Sequence, residues 1–194
     1  MFTRVLAKRI VNWLVNGGGK EEKRSVYEFG LDKLIQVLIN FFAVMSLGFI
    51  IGIPLEAIAF YLTYSILRVY AGGYHAENPV ACFFVSIGIL IPCLIAIQHY
   101  HMWNILIVNY GLLAVSVATL VIIGPVEHKN KRLDALERVV YCRRMLRNLI
   151  ISVIGVIVLM MVEYHSFAMA MLCGVILTTV TAVVGNMVLK RDPV

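Results

Sequence analysis

An all-α membrane protein with about six transmembrane helices, preceded by an N-terminal amphipathic interfacial helix, is predicted by three observations. The chain of 194 residues is 61% hydrophobic and only 14% charged, with a mean hydropathy of +0.88. Soluble domains run near 45–50% apolar and about 25% charged, so this composition belongs to a polytopic membrane protein. Apolar runs that approach the length needed to cross a core of about 30 Å recur at residues 34–53, 55–70, 82–97, 103–123, 149–162 and 167–189. Lysine and arginine, finally, are confined to segments that six spans would place on one side. The spans use nearly the whole length, which leaves a single integral-membrane domain, residues 1–194, and no room for a separate soluble one.

Residues 1–16 set Arg4, Lys8 and Arg9 among Phe2, Val5, Leu6, Ile10, Trp13 and Leu14, apolar positions near helical spacing. The segment reads as an amphipathic helix rather than a secretory signal. It suits either the plane of an anionic membrane surface or a seat on the protein's own basic face. Gly17-Gly18-Gly19 breaks it, and a charged run follows at residues 20–24. Ser25 with Glu28 three positions later resembles a capping box for the first spanning helix, whose early turns carry Glu28, Asp32 and Lys33.

Gly52 and Pro54 end that span, and the second is short unless Arg68 and Tyr70 reach outward to the interface. The third contains Pro92, which a membrane helix tolerates. Residues 98–102 form a polar turn, and Trp103 suits an interfacial anchor for the fourth span. Gly124-Pro125 stops the fourth and opens the long polar segment 126–148, expected as a basic loop. It holds Lys129, Lys131, Arg132, Arg138, Arg143, Arg144 and Arg147 against Glu127, Asp134 and Glu137. Residues 163–166 join the last two spans, and Lys190-Arg191 follow them.

With six spans, residues 1–33, 68–82, 126–148 and 190–194 share a side, and every lysine and arginine lies there. The three opposite turns contain none. The positive-inside rule therefore predicts a multi-pass protein of a cell membrane with both termini cytoplasmic. The same distribution accounts for the net charge of +6 without invoking nucleic acid. The four cysteines (Cys82, Cys93, Cys142 and Cys173) show no CxxC pairing and no zinc-like spacing, so neither a metal nor a cofactor nor a disulfide framework is expected.

Polar chemistry has few places to sit in such a chain, and one stretch, residues 68–82, gathers Arg68, Gly72, Gly73, His75 and Cys82. A thiolate is a nucleophile, and a neighbouring imidazole can lower the thiol pKa and take its proton. If Gly72-Gly73 ends one helix and the next begins near Pro79, Cys82 falls in a first turn, where the helix dipole favours a thiolate. Arg68 could hold a substrate carboxylate or an oxyanion. The plain alternative is a tight glycine turn, an interfacial His75 and a space-filling Cys82. Spacing alone leaves both readings open.

The pattern Arg68-x3-Gly72-Gly73-x-His75-x6-Cys82, between spans of a chain this long, resembles the accessory gene regulator B family. These are membrane cysteine endopeptidases of Gram-positive bacteria that process the precursor of a cyclic quorum-sensing peptide. The Glu28-x-Gly30 entry to the first span and the Gly124-Pro125 exit before Asn130-Lys131 are similar as well. The resemblance implies Cys82 as nucleophile, His75 as general base, and Arg68, Gly72 and Gly73 as supports of the site. It implies no cofactor, a bacterial cell membrane, a homodimer, and a peptide partner with an amphipathic leader and an acidic tail. Such a tail gives Lys129, Lys131 and Arg132 a binding role beside the alternative, that they only set topology. Glu28, Asp32, Gln36, Asn40 and Glu77 are the candidates for orienting His75. Two other functions compete: a small transporter gated by residues 68–82, and a noncatalytic membrane scaffold. The lack of charges near the midplane and of an inverted repeat weighs against transport.

Overall fold

The computed structural model describes residues 2–18, 20–73, 79–103, 105–126 and 134–191, with the backbone alone for residues 2, 4, 33, 79–85, 103, 190 and 191. All regular structure among them is helical, as the composition predicts. The helices are α1 (Phe2–Asn16), α2 (Arg24–Ile51), α3 (Pro54–Ala71), α4 (Pro79–Gln98), α5 (Tyr100–Trp103), α6 (Leu106–Ile123), α7 (Ala135–Met161) and α8 (His165–Arg191). A helix stands at each of the six expected spans. Four apolar stretches are long enough to cross a membrane by length and composition: Glu21–Ile51, Leu106–Ile123, Ala135–Met161 and His165–Leu189. α3 falls outside that set because Glu56, Arg68 and its hydroxyl-bearing residues dilute it. In α4 the apolar part counted, Ser86–Gln98, is short.

The diluted helix packs against the most covered one, α8, which also meets α4, α5, α6 and α7. α3 makes its most extensive contact with α8 and also meets α2 and α7. Phe60 and Leu67 of α3 are fully buried with Leu94, Ile97, Leu120, Met145, Leu149 and Leu172. One face of α3 is buried in this way, while Leu55, Leu62, Ile66 and Val69 stay exposed along the other. Small residues bring these helices together, as expected where lipid removes the usual apolar driving force. A Cβ at Gly174 would lie 3.0 Å from the Thr63 Cβ and 3.1 Å from the Phe60 carbonyl oxygen. A Cβ at Gly48 would come within 2.7 Å of the Ala57 side chain. The hydroxyls of Thr63, Ser152, Thr178 and Thr179 donate to carbonyls one turn back in their own helices. No hydroxyl among these four is left to seek water.

Three expectations are corrected. The loop expected over residues 126–148 is helical from Ala135 onward and runs unbroken into the span. The cause is local: Asp134 precedes the helix, and its backbone N–H donates to Glu137 Oε2 at 3.4 Å, in a capping-box pattern the sequence reading passed over. The capping box expected at Ser25 does not form, because α2 already begins at Arg24. A 3-10 turn at Glu21–Lys23 feeds into it, and Arg24 bridges Glu21 at 2.6 Å and Glu28 at 3.4 Å, drawing the helix start upstream. The fourth span begins at Leu106 instead of Trp103, which belongs to the separate short helix α5.

α1 packs on α2 through Ala7 and Val11, both 1% exposed. Leu6, Ile10, Leu14 and Trp13 (77% exposed) form a stripe turned away from α2. α2 and α7 end alike. In α2 the N–H of Ile53 reaches the Gly48 carbonyl at 2.8 Å around Gly52, at φ 85°. In α7 the N–H of Tyr164 reaches the Leu159 carbonyl at 2.9 Å around Glu163, at φ 64°. Both are Schellman ends, where glycine is the unstrained choice. Glu163→Gly is therefore expected to stabilise the protein by about 0.5–1 kcal/mol, read as a higher unfolding midpoint in detergent; an unchanged or lower midpoint would refute this.

Candidate active site

Residues 68–82 lie where α3 ends and α4 begins. Arg68 sits in the last turn of α3, with its guanidinium carbon 5.6 Å from the centre of the Tyr64 ring. The helix stops at Gly72, whose N–H donates to the Arg68 carbonyl at 3.0 Å. Gly72 adopts φ 70°, ψ −152°, a region that essentially only glycine occupies. Gly73 follows at φ 134°. The Gly-Gly pair is thus required by the backbone and not merely a sign of a loop.

The surroundings of these glycines are as restrictive as their dihedrals. A Cβ on Gly72 would collide with the carbonyl of Val126, and the Val126 N–H donates to the Ala71 carbonyl at 2.9 Å. Residues 124–126 therefore form a strap across the turn, made possible by the break that Gly124-Pro125 imposes on α6. On the other side, a Cβ on Gly73 would sit 2.9 Å from the Thr181 carbonyl oxygen of α8 and 3.0 Å from Arg68 Nη1. The turn is held between strap, shelf and guanidinium. Arg68, Gly72 and Gly73 lie together at the end of α3.

The backbone of Cys82 lies in the first turn of α4. Its side chain, and the whole of His75, lie outside the described residues, as do Lys129, Lys131, Arg132 and Glu77. Of the residues offered for orienting His75, Asp32 is 8% exposed and accepts a hydrogen bond from Gln36 Nε2 at 3.0 Å. Glu28 is engaged by Arg24. The Asn40 Oδ1 is buried and has no hydrogen-bond partner among the described residues. Cys93, Cys142 and Cys173 are free thiols.

Val126 and Thr181 are the contributors that sequence reasoning missed. Each acts through its backbone, so side-chain chemistry carries no sign of it. The break at Gly124-Pro125 was the available signal, since a helix stopped there frees the next N–H to pair elsewhere.

The model of the family described as accessory gene regulator B matches residues 7–182. Among curated proteins, the chain is 35% identical over 115 residues to "Putative AgrB-like protein 2" of Clostridium perfringens (strain 13 / Type A), covering 57% of this chain and 54% of that relative. It is 26% identical over 183 residues to "Putative AgrB-like protein" of Clostridium perfringens (strain SM101 / Type A), covering 87% of this chain and 86% of that one. No solved structure matches.

Proposed function

Because the chain belongs to the accessory gene regulator B family, we propose that it is a membrane cysteine endopeptidase that cuts the C-terminal tail from a quorum-sensing peptide precursor and enables closure of the remaining peptide into a ring. The observation that carries this reading is the locked Gly72-Gly73 turn: backbone that favours glycine, enclosed on two sides, comes directly before His75 and the helix start that bears Cys82.

The chemistry follows from the residue types. The Cys82 sulfur attacks the carbonyl at the end of the future ring while His75 accepts the thiol proton. The tetrahedral intermediate collapses, His75 returns the proton to the departing amine, and the tail leaves. A thioester now joins Cys82 to the precursor. A cysteine or serine within the precursor then displaces Cys82, which regains its proton, and the ring closes as a thiolactone or lactone. Exchange of one thioester for another is nearly isoenergetic, so no ATP is required for the thiolactone. Arg68, whose guanidinium borders Gly73, would receive a carboxylate or a developing oxyanion. Lys129, Lys131 and Arg132, which follow the strap, would hold an acidic tail beside the site. In this reading the protein is multi-pass in a bacterial cell membrane, with both termini and the site cytoplasmic, and functions as a homodimer.

The test is to trap the thioester. Full-length protein in vesicles, given a precursor with an amphipathic leader, an internal cysteine and an acidic tail, should show a hydroxylamine-sensitive mass increase on the peptide containing Cys82. Cleavage without such an adduct, and unaffected by prior alkylation of Cys82, would dispose of the proposal.

A further inference from the structure

α7 offers a second site, on the side opposite the clamp. Val139, Cys142, Arg143, Leu146, Arg147, Ile150 and Ile151 line an open groove of about 620 Å³ along one face of the helix. Tyr141 and Arg144, between them in sequence, turn the other way: each meets Tyr70 of α3, at ring centres 5.9 Å apart and a guanidinium-to-ring distance of 5.8 Å. The groove therefore faces outward from the bundle. Ile150 and Ile151 are exposed there, as lipid-facing residues are. Arg143 and Arg147 are also exposed, lie one turn apart, and have no carboxylate partner among the described residues.

Two outward guanidiniums immediately before an apolar run have a definite depth. The 27 residues of α7 extend about 40 Å, but the apolar part after Arg147 covers only about half of that. A hydrocarbon core of about 30 Å draws such a short run inward until the flanking arginines reach the headgroup layer. At that depth the groove presents two cations above an aliphatic wall. We propose that it binds an anionic phospholipid, with the headgroup phosphate between Arg143 and Arg147 and an acyl chain along Leu146, Ile150 and Ile151. Basic pockets on the positive side of membrane helices select such lipids. An acidic peptide would satisfy the arginines but leave the isoleucines of the wall without a partner. The site is independent of the peptidase chemistry and of the residues that carry it.

Cys142 is a native reporter inside the groove. Full-length protein would be placed in nanodiscs of phosphatidylcholine alone or with an equal part of phosphatidylglycerol, and Cys142 labelling by a neutral maleimide followed by peptide mass analysis. Phosphatidylglycerol should slow the labelling severalfold. Two cationic contacts correspond to about a thirtyfold preference over the zwitterionic lipid, read as retained lipid in native mass spectrometry, which Arg143→Gln with Arg147→Gln should remove. A photoactivatable phosphatidylglycerol should crosslink wild-type protein within residues 139–151, which decides the matter if the double variant does not fold. Equal labelling in both discs, or crosslinks only elsewhere, overturns the proposal. So does protection of Cys142 by a glutamate-rich peptide in phosphatidylcholine discs without any effect of phosphatidylglycerol.

Discussion

Cys82→Ala is expected to abolish precursor cleavage, with a loss on the order of 10⁴- to 10⁶-fold, the range seen when a covalent nucleophile is removed. The thioester splits one difficult step into two easier ones, and no other thiol among the described residues shares the position. Cys93 and Cys173 are half-buried in α4 and α8, and Cys142 lies in the outward groove of α7. His75→Ala should cost less, about 10²- to 10⁴-fold, because it removes proton transfer but leaves the sulfur. Its remaining activity should rise with pH as bulk hydroxide forms the thiolate that the imidazole no longer produces. Membrane content and unfolding midpoint should match the wild type in both variants. Cleavage at the wild-type rate by the Cys82 variant would end the peptidase reading and favour the transporter, with flux in proteoliposomes as its test.

Gly72→Ala should disable the protein almost as thoroughly by a different route. A methyl group there must occupy the space of the Val126 carbonyl, and its dihedrals lie where a side chain costs about 1–3 kcal/mol. The strap must move or the turn must re-form, and each 1.36 kcal/mol of misplacement is tenfold in rate. We expect cleavage to fall by about one to two orders of magnitude with the helices still inserted. Val126→Pro removes the N–H that donates to Ala71 and should give the same phenotype, whereas Val126→Ala keeps the donor and should behave as wild type. Full activity in Gly72→Ala and Val126→Pro together would show that the clamp does not position the site.

The fold class was legible in the sequence because burial in lipid leaves a coarse mark in long apolar runs. The helix limits were less so, since they are set by single caps. Asp134 and Glu137 extend α7 by more than three turns beyond the apolar run, and a hydropathy reading is blind to a polar helix standing outside the core. At the site, Arg68, Gly72 and Gly73 could be named from residue type, because backbone strain selects glycine. Val126 and Thr181 could not, as a carbonyl or an N–H is the same in every residue. A pattern of side chains shows which groups react; it does not show what holds them.

The shelf beneath Gly73 is supplied by Thr181, in the last helix of the chain. During synthesis the Gly-Gly turn emerges well before Thr181, which lies several helices further along the chain. The two-sided hold on Gly73 is therefore complete only once α8 has packed against α3.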